Sequence, residues 1–160
     1  ILIGAPVRQE AVILREFLRS LAELDTTGLQ VEFAFVDDNV EAESTALLEE
    51  FAQRHPTLLL DGGDAPEAYR KDEHGHVWND ELIWKVARFK DTLLEHARNR
   101  GHDGVFLVDS DLVLHPRLLH HLIRQGVDVV SEVFWTRWAP GMPDRPQVWV
   151  RDQYTMHHQR

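Results

Sequence analysis

The chain contains no cysteine, which excludes disulfides and thiolate metal sites. Basic residues are scarce: 17 Lys and Arg stand against 27 Asp and Glu, a formal charge of -10, and no lysine occurs after Lys90. General nucleic-acid binding needs a basic face to neutralise phosphates and is not expected. An acidic balance suits a protein that holds cations through carboxylates. No apolar run approaches the ~20 residues that cross a bilayer, and no signal peptide is visible. A cytoplasmic location is the default expectation.

The 160 residues suit one domain with a single core. The sequence opens at Ile1 inside an apolar run and ends at Arg160 in a polar stretch, so it reads as a fragment. Residues 1–5 form a short buried strand closed by Pro6. Val12, Ile13, Phe17, Leu18, Leu21 and Leu24 predict a helix over 10–24. A second strand over 31–36 ends at the turn-favouring Asp37-Asp38-Asn39. A helix over 44–54 and a strand over 57–60 follow. The polar, glycine-rich stretch 61–75 lacks an apolar period and reads as a long mobile loop.

Leu82, Val86, Phe89, Leu93, Leu94 and Ala97 predict a helix over 81–99, with Gly101 placed for a C-cap. Residues 105–108 form an apolar strand that runs into Asp109-Ser110-Asp111. Pro116 opens a helix ending near Arg124, and 127–134 and 147–150 read as further strands. Alternating strands and helices imply an α/β fold, a three-layer α/β/α sandwich with a mainly parallel sheet. Ligands of such sheets sit beyond the carboxyl ends of the strands.

The polar clusters fall at those ends. Asp109 and Asp111, one residue apart after a buried strand, offer hard oxygen ligands for Mg²⁺ or Mn²⁺, which commonly neutralise a diphosphate. Asp37 or Asp38 is placed to accept hydrogen bonds from a base or ribose. Arg8, Arg88 and Lys90 are candidates for phosphate contact, the arginines as forks and the lysine as a point charge. His157 and His158 are weaker metal candidates. Trp135 and Trp138 offer aromatic faces for an acceptor.

In order along the chain, these motifs resemble the GT-A glycosyltransferases of the family-2 type and the related fungal mannosyltransferase-like branch. Ile3-Gly4-Ala5-Pro6-Val7-Arg8 is similar to the first strand and nucleotide loop. Phe35-Val36-Asp37-Asp38-Asn39 resembles the motif in which an Asp contacts base or ribose. The segment from Ala87 to Leu94 is similar to the A-R-x-x-x-L-L helix, with Lys90 where Asn is common. Val105 to Asp111 resembles the apolar strand and D-x-D metal motif.

The resemblance implies a nucleoside-diphosphate sugar donor, Mn²⁺ or Mg²⁺ on Asp109 and Asp111, and a nucleotide site drawn from Ala5, Pro6, Arg8, Asp37, Asp38, Arg88, Lys90 and Ser110. The acceptor, whether sugar, lipid or protein, is not specified. Nor is the catalytic base, which inverting members carry well downstream. Asp144 and Asp152 are the acids left for it after Phe134, so the single domain over 1–160 is expected to be incomplete on the acceptor side. Two rivals share parts of the pattern. A phosphohydrolase would use Asp109 as nucleophile, but such folds usually place that strand first. A receiver-like signalling domain would gather Asp37, Asp38 and Asp109 around Mg²⁺, but requires a lysine beyond the later strands.

Overall fold

Four parallel strands carry the architecture, in the spatial order β3-β2-β1-β6: β1 (Leu2–Val7), β2 (Glu32–Asp37), β3 (Thr57–Asp61) and β6 (Val105–Leu107). A computed structural model of the chain describes residues 1–63, 71–72, 75–76, 79–137 and 141–146. The helices are α1 (Ala11–Ala22), α2 (Ala42–Ala52), α3 (Asp80–Arg100) and α4 (Leu118–Ile123). Residues 1–119 form one compact unit and 120–160 a second.

In the first unit, the two-residue period of the strands divides the core. Ile3, Ala5, Val7, Phe33 and Phe35 face one side and pack with Leu14, Phe17, Leu48 and Phe51 of α1 and α2. Leu2, Ala34 and Val36 face the other and pack with Leu93 and Ala97 of α3. The α/β/α layering follows, as the alternation of elements predicted. Around Phe33, the ring of Phe51 stands edge-on at 5.0 Å and Phe35 lies stacked at 6.2 Å, both favourable aromatic geometries. Gly4 lets α3 settle onto β1, because a Cβ there would lie 3.2 Å from Leu93.

α3 shows why its ends fall where they do. Asn79 accepts a hydrogen bond from the Leu82 amide at 2.8 Å, Asp80 and Glu81 occupy the first turn, and Arg98 and Arg100 the last. These are an N-cap and charges matched to the helix dipole. Gly101 closes the helix with φ +73°, and the His102 amide returns to the carbonyl of Ala97, a left-handed cap that glycine adopts at little cost.

Several expected details change. On α1 the buried stripe is Ala11, Leu14, Phe17, Leu18 and Leu21, while Val12 and Ile13 are exposed. The run of adjacent apolar residues had offered two phases, and packing against β1 selected one. On α3, Lys85 is buried and Leu94 is exposed. Within 61–75, Lys71–Asp72 pairs antiparallel with Gly75–His76 as β4 and β5; residues 64–70 and 73–74 lie outside the described residues. Among the described residues, no helix is long and apolar enough to cross a membrane.

In the second unit, 127–134 is not a strand. Val127, Val129, Val130, Val133 and Phe134 are exposed, Val129 at 88%. β-branched composition makes a strand only where a neighbouring ladder receives it, and none does so here among the described residues. The regular pairing falls instead between Trp135–Thr136 (β7) and Arg145–Pro146 (β8). The expected strand at 147–150 lies outside the described residues.

Leu93 and Leu94 test the phase of α3. Leu93→Ala removes a fully buried side chain and is expected to cost about 2–5 kcal/mol. Leu94→Ala, at an exposed position, should stay within about 0.5 kcal/mol. Chemical denaturation of both variants measures the difference.

Candidate functional site

Parallel pairing places the carboxyl ends of all four strands on one edge. The order turns at β1: β2 and β3 lie to one side and β6 to the other. In open α/β sheets the ligand crevice opens at such a reversal, beyond the strand ends. Here that edge carries Pro6-Val7-Arg8 at the end of β1, Asp37-Asp38-Asn39 at the end of β2, Asp61-Gly62-Gly63 at the end of β3, and Asp109-Ser110-Asp111 after β6.

The β2 end is tightly built. The Asp38 amide donates to the Val7 carbonyl at 2.9 Å, and the Gly62 amide to the Asp37 carbonyl at 2.8 Å. Gly62 approaches so closely that a Cβ would lie 2.8 Å from both the Asp37 carbonyl oxygen and the Asp38 Cβ. Only glycine fits without moving backbone. Asn39 donates twice to Asp37 Oδ1, from its amide at 3.0 Å and from Nδ2 at 2.7 Å. Its own Oδ1 accepts the Gln9 amide at 2.9 Å.

The two adjacent carboxylates therefore differ. Asp38 is buried: Lys85 Nζ donates to its Oδ1 at 2.7 Å, with side-chain exposures of 5% and 4%. Arg8 Nη1 adds longer contacts, 3.2 Å to the Asp38 carbonyl and 3.5 Å to Oδ2. The Lys85 ammonium also lies 5.5 Å from the Phe89 ring centroid, within cation–π range. A buried charge pair of this kind orders its neighbourhood, because either charge alone would be costly. Asp37 is half-buried, and its contacts with Asn39 use Oδ1. The sequence left the two acids equivalent; in the structure Asp38 is the anchor and Asp37 the more open group.

Lysine 85 was missed by sequence reasoning. Its signal is a charged residue between Leu82 and Phe89 on the apolar stripe of a strong helix. A solvated helix would not place it there.

At the end of β6, Asp109 and Asp111 are exposed and Ser110 is buried. The Val108 amide donates to the Gly4 carbonyl at 3.0 Å, extending the β1 pairing to the residue before the acidic pair. Lys90 Nζ stands 3.5 Å from Asp109 Oδ1. Arg88 is exposed on α3. Ala5 is fully buried in the core, so the solvent-facing part of the first loop begins at the half-buried Pro6. The structure thus joins Arg8 to Asp38 and Lys90 to Asp109, and brings Arg88 to neither carboxylate.

Asp144 lies in the second unit, where Arg137 Nε contacts it at 3.0 Å across the β7–β8 hairpin. Trp135, in the same hairpin, is exposed. Trp138, Asp152, His157 and His158 lie outside the described residues.

Lys85→Met leaves the buried Asp38 carboxylate to the longer Arg8 contact and should destabilise the fold by about 3–5 kcal/mol. Adding Asp38→Leu to it should recover much of the loss. A double-mutant cycle by chemical denaturation measures this coupling.

No family model matches the chain. Over 119 residues, 71% of its length, it is 25% identical to a "Glycosyltransferase 25 family member" of Drosophila pseudoobscura pseudoobscura. The match covers 19% of that protein, so the chain spans about a fifth of the curated relative's length. That family number differs from the family-2 type suggested by the motifs. The fold is similar to that of S. aureus TarS 1-349, with a TM-score of 0.55 and 17% identity over 77% of this chain and 31% of that one. A second TarS structure gives a TM-score of 0.50 at 17% identity, over 78% of this chain and 19% of TarS. At this identity the likeness speaks for fold alone: the chain shares the mainly parallel α/β fold of the matched part of TarS.

Proposed function

We propose that the chain binds a nucleoside-diphosphate sugar and a divalent cation, Mn²⁺ or Mg²⁺, for glycosyl transfer to a separate acceptor. The observation that carries this reading is the placement of Asp109-Ser110-Asp111 at the end of β6, beside β1 where the strand order reverses. The sequence likeness to a glycosyltransferase supports the reaction class, and the fold is consistent with it.

The acidic pair fits the proposed cation. Two exposed carboxylates are hard donors of the kind Mg²⁺ and Mn²⁺ take. Among the described residues, no third carboxylate or histidine joins them in a metal-sized cluster. Such a site suits an ion that completes its shell with waters and substrate phosphates, as Mg²⁺ usually does. When bound, the cation supplies Lewis-acid stabilisation of the diphosphate leaving group.

The protein's own groups have separable tasks. Lys90, half-exposed beside Asp109, supplies positive charge near the diphosphate without adding a rigid fork. Asp37 offers the more open carboxylate to base or ribose. Asp38, Lys85 and Arg8 hold the loop that presents Asp37, a preorganised arrangement that reduces the ordering cost of binding. Asp109 and Asp111 hold the ion, and Ser110 keeps their turn packed. Arg88 is left to meet a phosphate from α3.

The receiver-like alternative fails on topology. Flavodoxin-like sheets place strand 3 beyond strand 1, in the order 2-1-3-4-5; here β3 lies beyond β2. No structural observation favours a phosphohydrolase using Asp109.

Calorimetric titration with UDP or GDP and Mn²⁺ tests the site. Asp111→Ala should weaken binding roughly tenfold or more, the scale of a lost interaction with a charged group. Equal affinity would remove the acidic pair from the site. The adjacent acids should separate as well. Asp37→Asn is expected to weaken nucleotide binding while the melting temperature holds, whereas Asp38→Asn should mainly lower the melting temperature.

A further inference from the structure

We infer that the opposite edge of the sheet carries a second metal site, made by Glu32, His96 and His102, that takes a borderline divalent ion such as Zn²⁺. Glu32 opens β2, His96 lies in the last turns of α3, and His102 follows the Gly101 cap. All three therefore lie at the amino-terminal edge of the strands, away from Asp109 and Asp111.

The geometry comes from the helix end. Five residues lie between the histidines, and the left-handed turn at Gly101 brings His102 back against Ala97 through a 3.0 Å backbone bond. His96 Nε2 then lies 3.3 Å from Glu32 Oε1, and His102 Nε2 lies 3.0 Å from Glu32 Oε2. One ligand atom from each residue falls within 4.8 Å of the others. Ligand atoms of a tetrahedral zinc ion with bonds of 2.0–2.1 Å stand about 3.3 Å apart. Each histidine already stands near that distance from one carboxylate oxygen of Glu32, His96 from Oε1 and His102 from Oε2. Rotation of the side chains on the ends of β2 and α3 brings both nitrogens and one carboxylate oxygen around a common ion.

The surroundings fit a metal better than a simple surface pair. Side-chain exposures are 21% for His96, 13% for His102 and 23% for Glu32, so the cluster is sheltered but open to an entering ion. Glu32 and His102 line a depression shared with Gln30, Thr57, Arg100 and Asp103. Burial pushes the Glu32 carboxyl upward, but the His96 hydrogen bond and the nearby His96, Arg100 and His102 charges together hold it below its ordinary range. Two imidazoles and one carboxylate select Zn²⁺ or a neighbouring transition ion over Mg²⁺. Three protein ligands leave a position for water. A metal here fastens the carboxyl end of α3, the helix that carries Lys85, Arg88 and Lys90, to the start of β2.

The test uses the intact chain and Zn²⁺ or Co²⁺ alone, with neither nucleotide nor sugar. Excess Zn²⁺ should raise the melting temperature by roughly 5 °C or more. Co²⁺ should give the intense visible absorption of four coordination. Glu32→Gln, which keeps the shape and loses the charge, should reduce Zn²⁺ affinity at least tenfold in calorimetry. His96→Gln should do the same and covers the case in which His102→Ala fails to fold. His121→Gln, a histidine outside the cluster, should leave the response intact. Absence of Zn²⁺ stabilisation in the wild type, or its full retention in Glu32→Gln and His96→Gln, overturns the proposal. So does its loss in His121→Gln.

Discussion

β1 takes a parallel partner on each side, β2 through six registered positions and β6 through three. That double pairing sets which polar groups of β1, β2 and β6 emerge together at the two edges. A strand buried on both faces tolerates almost no polar side chain, and Leu2, Ile3, Ala5 and Val7 are fully buried. Register then fixes which residues emerge together. Pairing Val7 with Asp37 and Gly4 with Leu107 brings Arg8, Asp38 and the acidic pair to one edge, though about seventy residues of chain separate the second and third of these. A one-residue slip of β2 would turn Phe33 and Phe35 out of the α1/α2 core and Asp38 away from Lys85. Core packing and site geometry therefore rest on the same ladder.

α3 connects the two edges. As the crossover between β3 and β6, it begins near the strand carboxyl ends and finishes near their amino ends, where Leu2 donates to the Gly104 carbonyl. Its start carries Lys85 against Asp38, and its end carries His96 against Glu32. Both contacts join α3 to β2, although the packing of α3 is mainly on β1. The buried pair ties the start of α3 to the end of β2 at 2.7 Å. Leu93 and Ala97 pack the helix against the sheet, and the charged contacts hold its two ends to β2.

Much of this was legible from residue order because the signals were local. Parallel α/β topology followed from alternating elements, the α3 ends from their caps, and the acidic strand ends from aspartates after apolar runs. Periodicity misjudged α1 because Val12, Ile13 and Leu14 are consecutive and only tertiary contact chooses among them. It misjudged 127–134 because strand formation needs a partner as well as β-branched residues. The pairs Asp38–Lys85 and Glu32–His102 were not legible: 47 and 70 residues separate their members, and no local pattern reports such contacts. Lys85 was only half hidden, since a lysine on an apolar stripe already needs a buried counter-charge.

The difference between Asp37 and Asp38 bears on how much change each position tolerates. Two adjacent acids at a strand end point to opposite sides, so a single backbone register gives one to the interior and one to the crevice. The interior acid must be paired, and Lys85 pairs it from a helix the crevice does not need to move. The crevice acid is then left with its loop held by Asn39, Gln9 and Gly62, none of which relies on a ligand. Substitutions around Asp37 can therefore accumulate without disturbing the buried charge. Changes at Lys85 or Gly62 disturb both, because the first uncovers a charge and the second forces apart the ends of β2 and β3.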